Sequence, residues 1–198
     1  MGLLTGTPLV ALDTETTGMS PEAGAALVEV ASVVIENGAI GATWSSLVRP
    51  GSPIPPDATR VHGITDAMVA DAPEPCAIAG RLRATCGDLP LVFHNAPFDL
   101  PFLADLMRRS GERPLLNPIV DTLGLARGLF EGGGNSLGAL AARLGLPPQS
   151  AHRALRDALT TAHLFLRLAR RWEEERETRS LAELAAASQD VLRLTARR

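Results

Sequence analysis

The sequence predicts an α/β domain in which short buried strands alternate with amphipathic helices. Three brief apolar runs, residues 9–13, 89–93 and 119–123, each end at polar or turn residues. Segments with apolar residues at helical spacing follow the second and third of them, and Asn37-Gly38 joins two strand-like stretches rich in valine, isoleucine and alanine. At 198 residues one domain can close around one sizeable core.

Strand one is residues 9–13, stopping at a threonine-rich turn that ends in Gly18. Residues 26–36 and 39–48 form a hairpin, because Asn37 and Gly38 both tolerate positive φ. Residues 49–56 hold four prolines and are expected to cross the surface as an extended loop. Thr65 or Asp66 is placed to cap a short helical turn. Residues 74–86 read as a helix stopped by Gly87. Cys76 and Cys86 then sit near opposite ends of that helix, beyond disulfide reach at about 1.5 Å of rise per residue, and are expected to be reduced.

Residues 89–93 are strand-like, which leaves His94 and Asn95 just past a strand end. Residues 98–109 are helical and close with arginines before Gly111, and residues 119–123 are a fifth strand. Helical signals continue at 122–130, at 136–144 after a glycine-rich link, and at 153–172. The mixed-charge run 172–179 reads as an exposed helix end or hinge, and 181–194 as one more amphipathic helix. The implied division is a domain over residues 1–175 and a C-terminal helical extension over 176–198.

Composition narrows the function. Glu29, Glu36 or glycine interrupts the longest apolar stretches well short of the roughly 18 residues that span a bilayer, and the N-terminus lacks a basic, cleavable leader. The expectation is a cytoplasmic protein without a membrane partner. A net charge of −3 argues against gripping a long duplex footprint, while leaving room for a short, metal-bridged contact with a strand end. All 19 basic side chains are arginine and tyrosine is absent, which reads as compositional bias.

Three clusters carry chemistry. Asp13 and Glu15 are two residues apart at a strand end, so both carboxylates fall on one side and can hold a cation jointly. Asp99 follows His94-Asn95-Ala96-Pro97-Phe98 at a helix start, where the helix dipole favours a carboxylate. His152 and Asp157 are five residues apart, roughly 140° around an ideal helix. They can act together if His152 lies on the preceding loop and Asp157 in the second helical turn. Each cluster alone also reads as an acidic turn, a helix cap or a surface histidine. In conjunction they supply four oxygen donors suited to two hard divalent cations, Mg²⁺ or Mn²⁺, and no Cys/His cluster with zinc spacing competes.

The elements Asp13-Thr14-Glu15-Thr16-Thr17-Gly18, His94-Asn95-x-x-Phe98-Asp99 and His152-Arg153-Ala154-Leu155-x-Asp157-Ala158 resemble the three motifs of the DEDDh exonucleases over roughly residues 8–170. Within that superfamily the chain is similar to the proofreading epsilon subunits of bacterial DNA polymerase III. Val61-His62-Gly63-Ile64-Thr65-Asp66 resembles the loop by which those members approach the terminal nucleotide. The resemblance implies a ribonuclease H-like fold, a five-stranded mixed sheet in order 3-2-1-4-5 with strand two antiparallel. It also implies two-metal hydrolysis that releases nucleoside 5′-monophosphates from a 3′ end. Asp13, Glu15, Asp99 and Asp157 would be metal ligands, with Asp13 bridging, and His152 the general base. Thr16 through its backbone, and His62, Asn95 and Phe98 through their side chains, would meet the terminal nucleotide.

Single-stranded DNA is the substrate favoured by the loop around His62. An RNA-trimming enzyme of the ribonuclease T or oligoribonuclease kind shares the same five residues, and a non-catalytic polymerase-associated module shares the fold. Residues 189–194 have the Gln-x-x-Leu-x-Leu spacing of a sliding-clamp-binding peptide and also read as helix. A DNA polymerase or a sliding clamp is therefore the candidate protein partner, and monomer and homodimer are both open.

Overall fold

The structure is a computed structural model that describes residues 3–147 and 152–196. Five strands, β1 (Leu9–Thr16), β2 (Leu27–Glu36), β3 (Ala39–Leu47), β4 (Leu91–Phe93) and β5 (Ile119–Asp121), form one sheet in the order β3-β2-β1-β4-β5. β2 runs antiparallel to both β1 and β3, and β4 lies parallel to β1 and β5. This is the order and polarity the sequence resemblance implies.

The helices are α1 (Pro56–His62), α2 (Asp66–Val69), α3 (Pro75–Cys86), α4 (Ala96–Arg109), α5 (Thr122–Leu129), α6 (Leu137–Arg143), α7 (Ala154–Glu175) and α8 (Leu181–Ala196). They cover both sheet faces, and the alternation along β1 assigns each side chain to a layer. Leu9 and Ala11 pack with Ala31, Val33 and the α7 residues Ala158, Ala162 and Phe165. Val10 and Leu12 pack instead with Leu82 of α3 and with Phe102, Leu103 and Leu106 of α4. By the same period of two, Asp13 and Glu15 belong to the α7 side and Thr14 to the α4 side.

Small residues set two close approaches. Ala154, Ala158 and Ala162, all fully buried, recur every four residues along α7 and let that helix settle against the sheet. On α5, a Cβ at Gly124 would lie 2.0 Å from the Ser188 carbonyl oxygen of α8, so only glycine permits that crossing. α8 is further tied by the Ser188 hydroxyl, which accepts from the Asp121 amide at 3.1 Å.

Some boundaries differ from expectation. β1 continues to Thr16 rather than ending at Asp13, so both acidic residues lie within the strand, just before a bulge at Glu15/Thr16. β4 starts at Leu91 because Pro90 has no amide to donate to the ladder. The stretch after the proline-rich loop forms α1, whose Pro56 occupies a first-turn position where a missing amide costs nothing. α4 starts at Ala96, two residues early, because Asn95 adopts φ 74° and turns the chain straight from β4 into the helix. Both cysteines are free, with Cys76 exposed and Cys86 buried. Among the described residues no helix is long and apolar enough to cross a membrane.

Candidate active site

Two elements deliver carboxylates to one point. Asp13 and Glu15 extend from β1 toward the layer that contains α7, and Asp157 enters from the first turn of that helix. One carboxylate oxygen from each of the three lies within 4.8 Å of the others. Asp157 is held by its own loop, since the His152 amide donates to its Oδ2 at 2.9 Å. Asp99, in the first turn of α4, is only 5% exposed and approaches from the other layer. There the Thr14 hydroxyl donates to its Oδ1 at 2.7 Å, and the three-residue cluster does not include it.

These acids cannot all be charged without compensation. Burial, followed by repulsion from Asp157 and Glu29, pushes Glu15 up to about 8. Burial pushes Asp99 up to about 7 against the opposing hydrogen bond from Thr14. Asp13 is driven well above the usual carboxylate range, first by burial and then by Asp99 and Asp157. Asp157 is raised mainly by burial. Converging oxygen donors whose charges resist ionisation, with no sulfur or imidazole ligand in the group, fit a hard divalent cation.

His152 lies immediately before α7, with φ 64° and an exposed side chain. The helix therefore begins after it, as the angular argument requires, although Asp157 falls in the first turn rather than the second. His62 is the last residue of α1, not part of a loop, and is 4% exposed. Its Nδ1 accepts from the Ile64 amide at 3.0 Å, which leaves Nε2 as the protonated nitrogen of the neutral ring. That Nε2 is buried without a partner of proper hydrogen-bond geometry, although the Thr16 backbone lies close enough to oppose the burial that lowers the ring's pKa.

His62, Thr16 and Phe98 line the same cleft of about 320 Å³, together with Glu15, Met19 and Val61. Met19 is 81% exposed and Phe98 stacks at a tilt on Phe102, so the cleft offers an apolar wall beside the carboxylates. Asn95 does not line that cleft. It is exposed at the β4–α4 corner, where its backbone amide donates to Asp121. His94, also expected at this sheet edge, bonds to Thr122 Oγ1 and the Asn135 carbonyl and fastens β4 to neighbouring segments.

Thr14, Asp121, Glu29 and Arg153 were not singled out for supporting roles from the sequence. Thr14 holds Asp99, and the fully buried Asp121 accepts from the amides of Asn95, Ala96 and Leu123. Glu29 on β2 faces Glu15 across the strand pair and accepts from the Arg153 guanidinium and the Ala154 amide. A carboxylate inside an apolar strand, as in Leu27-Val28-Glu29-Val30, was the available signal for Glu29.

The sequence profile described as Exonuclease matches residues 10–165, a span that contains all of these groups. The chain belongs to this exonuclease family. It is 36% identical over 158 residues to the DNA polymerase III subunit epsilon of Treponema pallidum, covering 78% of this chain and 73% of that protein. It is 44% identical over 164 residues to a DNA polymerase III subunit epsilon-like protein of Rhodobacter capsulatus. That match covers 80% of this chain but spans only 23% of the relative's length. Among solved structures, exonuclease X in complex with 5′ overhanging duplex DNA is 32% identical, with a TM-score of 0.71 over 91% of this chain and 99% of that one. E. coli exonuclease I bound to a dT13 oligonucleotide shares the fold, with a TM-score of 0.76 at 18% identity over 87% of this chain and 43% of that one.

Proposed function

We propose that the chain is a metal-dependent 3′→5′ exonuclease that releases nucleoside 5′-monophosphates from single-stranded DNA ends, in proofreading or DNA repair. The observation that carries this reading is the convergence of Asp13, Glu15 and Asp157 within 4.8 Å, beside a largely apolar cleft of nucleotide size. Asp13, Glu15 and Asp157 would hold Mg²⁺ or Mn²⁺, with Asp99 completing the set from the α4 side. Bound divalent cations supply Lewis-acid polarisation and neutralise charge on the scissile phosphate.

The chain's own groups do the rest. The exposed His152 imidazole, on its left-handed corner next to Asp157, takes the proton of the attacking water. His62 would meet the terminal nucleotide in the cleft it lines, and the Thr16 backbone borders the same space. Phe98 offers the base an aromatic surface that does not distinguish one base from another. Asn95 shapes the corner before α4 and contacts the strand from outside the cleft. DNA is favoured over RNA by the likeness to epsilon subunits and to exonuclease X, which was solved with DNA.

The protein partner consistent with this role is a DNA polymerase or a sliding clamp. Residues 189–194, with their clamp-like spacing, lie in α8. The test uses 5′-labelled DNA and RNA of one sequence with Mg²⁺, Mn²⁺ or EDTA, beside Asp13→Ala. A metal-dependent ladder that shortens from the 3′ end of DNA, absent in the variant, is the expected result. Intact polymers under every metal would overturn the reading, and a ladder on RNA alone would transfer it to RNA trimming.

A further inference from the structure

We infer that Glu29 and Arg153 form a positioning pair that sets the N-terminus of α7, and with it Asp157 and His152, against the carboxylates of β1. The inference rests on the exonuclease reading above and assigns it two residues outside the acid and histidine set.

Glu29 lies on β2 in register with Glu15 and faces the same layer, but it does not join the metal-type cluster. Both of its oxygens are committed. Oε1 accepts from Arg153 Nη2 at 2.7 Å, and Oε2 accepts from Arg153 Nε at 3.0 Å and from the Ala154 amide at 2.9 Å. The carboxylate thus receives a planar two-point grip and one of the otherwise unsatisfied amides at a helix start. The Glu29 side chain is only 5% exposed, so this charge is fixed in place rather than solvated.

The contact joins residues 124 positions apart at the point where placement matters. Arg153 is the N-cap of α7, His152 precedes it, and the His152 amide holds Asp157. Gripping Arg153 and Ala154 therefore fixes the rotation and depth of the first turn, which determine whether Asp157 reaches Asp13 and Glu15. Arg153 also opposes the repulsion that its neighbours impose on Glu15.

The variants Glu29→Gln, Arg153→Gln, Arg153→Lys and the double Gln variant are compared with wild type and with Arg108→Ala, an exposed control on α4. Mn²⁺ affinity is read by electron paramagnetic resonance, kcat and KM by single-strand DNA cleavage, and folding by thermal melts. Losing the pair is expected to weaken Mn²⁺ binding or lower kcat by about 10- to 100-fold, with KM little changed. Arg153→Lys is expected to recover only part of the loss, because an ammonium cannot make the two-point contact. The double variant should be no worse than either single one, as expected of residues acting as one unit.

Glu29 is buried, so Arg153→Gln, with a side chain 38% exposed, is the variant that keeps the test decisive if Glu29→Gln fails to fold. Wild-type kcat and Mn²⁺ affinity in a folded Arg153→Gln, or a pure fall in melting temperature, would overturn the inference. A wild-type protein that binds Mn²⁺ but cuts nothing would instead overturn the exonuclease reading, with the pair still judged by metal affinity.

Discussion

The metal-free protein should lose stability as pH rises, the reverse of ordinary acid denaturation. Glu15 stands at about 8 in the folded chain against an ordinary 4.5. Below pH 4.5 the carboxyl is protonated in both folded and unfolded chains, and its stabilising contribution is fully present. Between 4.5 and about 8 the unfolded chain releases the proton while the folded chain keeps it, so stability falls through that window. At about 1.4 kcal/mol per pH unit, Glu15 alone gives a loss on the order of 3–5 kcal/mol. Asp99, raised to about 7, acts in the same direction. For a chain of this size that loss corresponds to roughly 10 °C in melting temperature. The assay is circular-dichroism melting in EDTA from pH 5 to 8.5, beside Glu15→Gln. The wild-type melting temperature should fall toward alkaline pH, the variant's should fall less, and Mg²⁺ at pH 8 should restore the wild type. A flat or rising wild-type curve in EDTA, or one that Glu15→Gln leaves unchanged, would refute the reasoning.

Three further outcomes follow from single contacts. His152→Asn keeps a residue tolerant of φ 64° and keeps the amide that holds Asp157, so kcat should fall by about 10²- to 10⁴-fold with Mn²⁺ affinity intact; a parallel loss of metal binding would count against a proton-transfer role. Thr14→Val removes the hydrogen bond that lowers the Asp99 pKa, so the acid limb of the pH–rate profile should move to higher pH, and an unmoved limb would contradict this. Gly124→Ala places a methyl group 2.0 Å from the Ser188 carbonyl, and urea unfolding should show a loss of about 1–3 kcal/mol or more as α8 is forced off α5.

Much of the candidate site was legible in the sequence as residue types, while the layers came from the structure. Asp13 and Glu15 were legible because a two-residue period fixes their common side, whatever the strand's exact length. His152 and Asp157 were legible because His152-Arg153-Ala154-Leu155-x-Asp157 resembles the third exonuclease motif, and helical geometry requires the histidine to lie off the helix if the two are to act together. Thr14 was not, since its role depends on α4 arriving on the opposite sheet face, a tertiary fact that no local pattern encodes. α1 was hidden by the prolines before it, which read as a loop although proline suits a helix's first turn. Glu29 resembled an interruption in an apolar run until its partner, 124 residues away, was in place. The C-terminal helix was legible as amphipathic, but its docking depends on Gly124, which reads as a weak helix residue in isolation.

The most direct test of the account is to locate the cation. Crystals soaked in Mn²⁺ and measured with anomalous scattering should show metal in contact with Asp13, Glu15 and Asp157, and none in Asp13→Asn crystals. Manganese bound elsewhere, or absent from that point at saturating concentration, would contradict the claim that these converging carboxylates are built to hold a catalytic metal.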